Sequence, residues 1–222
     1  MNIMEKLINT VLHFDKYLNI IIQNYGSWTY VLLFLIIFCE TGLVVTPFLP
    51  GDSLIFATGA LAARGSLSII TLYIIFLAAA IIGDTVNYHI GKKIGIKIFE
   101  REDLKYINKE HLKKAESFYK KHGSMTIVLG RFIPIIRTFV PFVAGIGEMH
   151  YSKFIVYNIL GGSLWVSLFL IGGYFFGNLP IVEENFSYVV ISIIAISIIP
   201  AIIAFIREKK NSKTQVLDMM EE

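Results

Sequence analysis

The chain has 222 residues, 55% of them apolar or aromatic (AVILMFWYC) and 17% charged, with a formal net charge of +3 and a mean hydropathy of +0.65. An average soluble domain is about 45–50% apolar and about 25% charged, so a soluble globular protein is excluded. The modest charge gives no support for nucleic-acid binding, and the single cysteine, Cys39, can form no intrachain disulfide and reads as a small packed side chain.

The opening stretch MNIMEKLINTVLHFDKYLNIIIQNYG (1–26) spaces Ile3, Leu7, Val11, Phe14, Leu18 and Ile21 three or four residues apart, with Glu5, Lys6, Asp15 and Lys16 between them. This predicts an amphipathic helix lying in the membrane interface. A signal peptide is disfavoured, because His13, Asp15 and Lys16 interrupt its apolar stretch and no small-residue cleavage site follows. A membrane domain over 27–206 comes next. It opens on an apolar segment, about 28–65, that is broken at TPFLPGDS, where Pro47, Pro50 and Gly51 cannot continue a straight helix. Two short helical arms meeting at a bend are expected.

Residues 66–90 read as a crossing helix. The following loop, 91–122, carries ten Lys/Arg against five Asp/Glu, which assigns it to the cytoplasmic side. A second apolar segment, about 124–148, repeats the plan of the first: it holds Arg131 and Arg137 and is interrupted at Pro134 and Pro141. Crossings are expected at about 151–176 and 187–206. The tail, 207–222, opens with REKKNSK and is also placed in the cytoplasm.

Two cytoplasmic basic regions require an even number of crossings between them, and the last two helices already supply two. The Arg131 segment must therefore enter and leave from one side as a re-entrant hairpin, which is tolerated at membrane depth where the irregular backbone is buried in protein or lines a wet cavity. The same logic makes the Glu40 segment a hairpin from the other face. An offset of 86 residues maps Gly59 onto Gly145, Ser66 onto Ser152, Tyr88 onto Tyr174 and Gly91 onto Gly177. The expected fold is an all-α polytopic membrane protein: an inverted repeat of two Pro-broken re-entrant hairpins, each followed by crossing helices, plus the N-terminal amphipathic helix. Broken helices facing each other at the midplane are the plan of many secondary transporters.

Charges inside these stretches are Glu40, Asp52, Asp84, Arg131 and Arg137. A charged side chain at the bilayer centre costs at least about 2.5–3.5 kcal/mol, so each must be paired or wet. Two carboxylates facing two guanidiniums across the hairpins is the simplest compensation. Arginine offers a planar fork that holds phosphate oxygens bidentately, which makes Arg131 and Arg137 the candidates for an anionic headgroup. Helix N-termini after Gly51 and after Arg137 add partial positive charge. Glu40 and Asp52 are the candidates for proton coupling or gating. Asp52 in Gly51-Asp52-Ser53 also reads as a helix N-cap, and both roles can coexist. Asp84, Tyr88 and Lys92 share one helix face and are expected as an interfacial ion pair, with His89 beside them. The five histidines and one cysteine lack ligand spacing, so no metal or cofactor is expected.

The blocks CETGLVVTPFLPGDSLIFATGALA, GDTVNYHIGKKIG and GRFIPIIRTFVPFVAGIGEMHYSKF, in this order, resemble the signatures of the DedA family of VTT-domain membrane proteins over about residues 25–180. The resemblance implies two facing re-entrant hairpins, with Glu40, Asp52, Arg131 and Arg137 at the family's essential acidic and basic positions. It also implies a multi-pass protein of the bacterial cytoplasmic membrane that moves a lipid: undecaprenyl phosphate for reuse in cell-wall synthesis, or phosphatidylethanolamine, with protons involved. Paired arginines favour the phosphomonoester. A polyprenyl-phosphate flippase is the resulting expectation, with the lipid and protons as partners and a homo-oligomer compatible with the plan. A lipid phosphatase is disfavoured because no histidine falls in either hairpin to serve acid–base chemistry. A scaffold in which the charges are only glue and a proton-dependent antiporter using Glu40 are the remaining rivals.

Overall fold

The computed structural model describes residues 24–43, 51–100, 109–133, 136–177 and the single positions 179, 180, 182, 189 and 192. Most of the N-terminal amphipathic segment, Pro47, Pro50, Pro134, nearly all of the 187–206 crossing and the 207–222 tail lie outside the described residues. Among the described residues every regular element is helical: α1 (Trp28–Gly42), α2 (Gly51–Ala63), α3 (Ile69–Glu100), α4 (Lys109–His122), a 3-10 turn (Gly123–Met125), α5 (Thr126–Gly130), α6 (Phe139–Ile146) and α7 (Tyr151–Phe176).

Two of these helices have the length and composition to cross a bilayer, α3 over Ile69–Lys93 and α7 over Tyr151–Phe176. At about 1.5 Å per residue each exceeds a hydrocarbon layer of about 30 Å. The helices flanking the two breaks do not: α1 has 15 residues, α2 has 13, α5 has 5 and α6 has 8. The end of α2 is written in Ala-Arg-Gly-Ser. Gly65 takes φ +80°, its N–H donates to the Ala62 carbonyl and that of Ser66 to the Leu61 carbonyl, which is the paired closure glycine permits after a helix.

Two sequence expectations are corrected here. The crossing helix starts at Ile69 and continues to Glu100, so the 91–122 region is largely helical, in α3 and α4. The change from apolar to Lys- and Glu-rich composition ends the span and not the helix, since those residues are good helix formers. Pro141 does not break the chain. It stands third in α6, in a first turn where a missing N–H has no intrahelical acceptor to lose.

The packing crosses between the first and second parts of the chain, with α2 on α7 and α6 on α3, while α1 lies on α3 and α5 on α7 within each part. Small residues set the close approaches. A Cβ on Gly59 would stand 2.3 Å from the Leu170 carbonyl oxygen and 3.0 Å from the Tyr174 nitrogen; one on Gly145 would stand 2.1 Å from the Tyr88 carbonyl oxygen. Two apolar clusters result. One gathers Leu33, Ile37, Ile55, Phe76 and Trp165, the other Tyr88, Ile127, Phe142 and Phe154. On α3 the first cluster ends at Ala80 and the second begins at Tyr88; on α7 Phe154 belongs to the second and Trp165 to the first. Asp84 and Asn158 fall between them. The outward residues of α7, among them Val156, Leu160, Leu164, Leu168 and Phe175, are apolar and exposed, a surface that suits lipid contact.

Candidate functional site

Glu40, Asp52, Asp84, Arg131 and Arg137 meet in two linked clusters. In the first, Arg137, in the turn before α6, spans both helices of the first broken segment. Its Nη2 donates to Glu40 Oε1 on the last turn of α1 at 2.5 Å, and its Nη1 donates to Asp52 Oδ1 on the first turn of α2 at 2.9 Å. The Trp165 indole N–H donates to the same Asp52 oxygen at 2.9 Å, and the Arg137 guanidinium carbon lies 5.1 Å from the Trp165 ring centroid, within cation–π range. Glu40 is 2% exposed, so a solvent shell does not compete with these bonds.

Gly51 is what lets Glu40 fit. Its N–H donates to Glu40 Oε1 at 3.3 Å, and a Cβ there would stand 1.6 Å from Glu40 Oε2. The helix start thus presents a bare backbone donor to a buried carboxylate, where the dipole also favours negative charge.

In the second cluster Arg131 follows α5 and points at the crossing helices. Its Nη2 donates to Asp84 Oδ2 on α3 and to Asn158 Oδ1 on α7, the latter at 2.5 Å. Asn158 Nδ2 in turn donates to the Ile81 carbonyl at 3.1 Å. Arg131 lies on the same indole as Arg137, with its guanidinium carbon 6.0 Å from the Trp165 centroid. Asn87 ties the parts together, donating from Nδ2 to the Thr138 carbonyl at 2.6 Å and to the Thr41 carbonyl at 3.4 Å.

Between the clusters is a cavity of about 10 Å³ lined by Thr41, Asp84, Arg131, Arg137, Thr138 and Trp165. That is room for about one water molecule. Arg131 Nε and Thr138 Oγ1 are buried with no hydrogen-bond partner among the described residues. Three carboxylates face two guanidiniums, so the fully ionised group carries one negative charge.

Residues 49–175 match the VTT domain family. The chain is 49% identical to Protein DedA of Escherichia coli over 212 residues, 95% of this chain and 97% of the relative. The chain belongs to the DedA family. It is also 33% identical over 152 residues to the inner membrane protein YqjA of Escherichia coli, covering 68% of this chain and 69% of the relative, and 40% identical over 169 residues to a membrane protein of Mycobacterium leprae, 76% of each. No solved structure gives a significant match. YqjA and the Mycobacterium leprae relative are named as membrane proteins, in line with the two apolar spans.

In this DedA family chain Glu40, Asp52 and Arg137 come together as one cluster, with the Gly51 N–H donating to Glu40. Arg131 does not join the first-segment carboxylates; its partner is Asp84. The expected surface pair is therefore corrected. Asp84 is 4% exposed and Tyr88 is fully buried, with the Tyr88 hydroxyl donating to the Met149 carbonyl and its ring stacked on Phe154 at 4.5 Å, while Lys92 and His89 are exposed. The physical reason is that α3 remains helical past Lys92, so Asp84 lies two turns inside its basic end, where a carboxylate needs a buried cation. Trp165, Asn158, Asn87 and Thr138 were not singled out from sequence. Asn158 and Trp165 carry a readable signal, being polar-capable residues seven apart, on one face of a helix that bears no charge after Lys153.

Proposed function

We propose that this protein is a lipid transporter that moves a polyprenyl phosphate, with undecaprenyl phosphate the expected lipid, across the bacterial cytoplasmic membrane for reuse in envelope synthesis, coupled to protons. The observation that carries this reading is the Glu40–Arg137–Asp52 cluster: a guanidinium fork buried among apolar helices and occupied on both prongs by carboxylates. Such a fork matches a phosphate bidentately. The carboxylates stand where phosphate oxygens would, so binding requires that they release.

Protons supply the release. The fully ionised group carries one negative charge and repels a phosphate; one proton on Glu40 or Asp52 makes it neutral, and two make it positive. Phosphate then loads where protons are plentiful and leaves where they are scarce. With an acidic outside the direction is inward. The isoprenoid tail stays in lipid while the headgroup crosses, and no bond is made or broken.

Re-entrant hairpins around 28–65 and 124–148, related as an inverted repeat, belong to the same proposal. Support comes from the short helices around each break, from charged residues gathered at those breaks, and from glycine contacts at Gly59 and Gly145 that correspond under the 86-residue offset. The positive-inside bias places the C-terminus in the cytoplasm. The surplus carboxylate favours one second reading, a proton-dependent antiporter without lipid movement.

The deciding experiment is inward movement of labelled undecaprenyl phosphate and of phosphatidylethanolamine in proteoliposomes, with and without a pH gradient, for the wild type and Arg137→Lys. Lysine keeps the charge and loses the fork. Selective movement of the polyprenyl phosphate, accelerated by an acidic outside and abolished in Arg137→Lys, is expected. Proton-linked cation flux without lipid flux would replace this reading with the antiporter, and equal lipid flux in Arg137→Lys would remove the site from the mechanism.

A further inference from the structure

We propose that Asp84 is the internal counter-ion of Arg131, holding the guanidinium fork that a phosphomonoester headgroup takes and letting go when the headgroup is held by both arginines. This rests on the transport reading above and assigns Asp84 a role within that site.

The geometry gives each arginine its own lock. Glu40 and Asp52 close Arg137 from the first broken segment, whereas Asp84 closes Arg131 from the crossing helix α3. Freeing one fork leaves the other engaged. Both arginines line the same cavity, which at about 10 Å³ has room for one water and not for a phosphate. The described state is therefore closed, with carboxylate oxygens holding the phosphate-matching prongs. The Arg131 Nε is buried and has no hydrogen-bond partner among the described residues. Nε–H and Nη2–H form the side-on fork of a guanidinium, and two parallel hydrogen bonds from such a fork are the preferred grip on phosphate. Asp84 and Asn158 share Nη2. Asp84→Asn leaves neutral amide oxygens as the side-chain acceptors at Nη2 among the described residues, weaker competitors for a charged donor.

A merely structural Asp84 would neutralise Arg131 and nothing more, and its loss would weaken the fold without raising affinity for an anion. The two roles separate in the sign of the binding change. The full chain in detergent micelles is titrated with farnesyl phosphate and, separately, with inorganic phosphate, for the wild type, Asp84→Asn and the double variant Asp84→Asn/Asn158→Asp. Asp84→Asn is expected to bind both probes about tenfold tighter, the order of one charge-assisted competitor removed, and to move polyprenyl phosphate more slowly in proteoliposomes because release slows. The double variant returns a carboxylate to Nη2 from α7 and is expected to return the affinity toward the wild-type value.

Should Asp84→Asn fail to fold, Asn158→Asp alone carries the test. It adds a second carboxylate to the same Nη2 and is expected to weaken binding about tenfold. Unchanged or weaker binding in a folded Asp84→Asn, unchanged binding in Asn158→Asp, or tightening for farnesyl phosphate without tightening for inorganic phosphate would each overturn the assignment. A wild type that moves no polyprenyl phosphate would sink the transport reading itself. A wild type that moves it, beside an Asp84→Asn that binds it no tighter, would sink only the role of Asp84.

Discussion

The contact of α2 with α7 and the contact of α6 with α3 are made by the same means. Gly59 brings α2 against the backbone at Leu170 and Tyr174, and Gly145 brings α6 against the backbone at Tyr88 and Lys92. Glycines 59 and 145, and tyrosines 88 and 174, are pairs separated by 86 residues. The charged residues follow no such correspondence. Under that offset Asp52 meets Thr138, Arg137 meets Gly51, Glu40 meets Thr126 and Asp84 meets Leu170. Among the described residues the three buried acids precede residue 100, and their partners Arg131 and Arg137 follow residue 130. Packing repeats while charge is divided, and the division has a reason: two copies of one charge pattern facing each other would bring like charges together, whereas acids on one half and bases on the other pair at the centre. Gly51 opposite Arg137 is the sharpest case, because the position that lacks a side chain in one half admits the Glu40 carboxylate that the other half's arginine binds.

The strongest way to break that division is to delete one sign from it. Arg137→Ala leaves Glu40 and Asp52 buried without their guanidinium and is expected to destabilise the protein by about 3–5 kcal/mol, read as a lowered melting temperature in detergent, with transport lost. Adding Glu40→Gln and Asp52→Asn to that variant is expected to recover most of the stability and none of the transport. Recovery of neither would mean that the cluster is not held together by charge pairing.

The shared packing can be attacked separately. Gly59→Ala and Gly145→Ala each place a Cβ against backbone, at 2.3 Å from the Leu170 oxygen and 2.1 Å from the Tyr88 oxygen. Each is expected to cost about 1–3 kcal/mol by overpacking, and to a similar extent. A large loss at one glycine and none at the other would end the correspondence between the two contacts.

Much of this organisation was legible from local chemistry. The break at Gly51, the α7 span, and the meeting of Glu40, Asp52 and Arg137 all follow from where charge and helix-breaking residues fall in apolar sequence. What was not legible depended on rotation and reach. Asp84 reads as an interfacial residue because Lys92 lies two turns away, and nothing local reveals that Arg131, 47 residues on, turns toward α3 and not toward the first broken segment. Pro141 reads as a break, yet three residues into a helix a proline loses no hydrogen bond. The indole of Trp165 joins the two clusters through a hydrogen bond to Asp52 and its ring face. In sequence its spacing from Asn158 marks a helix face but not the partners that face reaches.

Trp165→Phe tests how far the two clusters depend on that link. Phenylalanine keeps a ring beside both guanidiniums and removes the N–H that holds Asp52, so a loss of about 1–2 kcal/mol is expected, with transport reduced but present. A loss near zero would mean that Arg137 alone fixes Asp52.

The smallest effect comes from the two tyrosines that the offset pairs. Tyr88 is fully buried and its hydroxyl donates to the Met149 carbonyl, whereas Tyr174 is only partly buried. Tyr88→Phe leaves that carbonyl without its donor and is expected to cost about 1 kcal/mol, while Tyr174→Phe is expected to stay within about 0.5 kcal/mol of the wild type. Thermal unfolding of the two variants in the same detergent reads the difference. Equal losses would mean that the second tyrosine has a buried partner too and that the correspondence extends beyond the glycines to polar contacts. A loss at Tyr88 alone keeps it where the charges already put it, with backbone packing shared between the halves and polar chemistry particular to each.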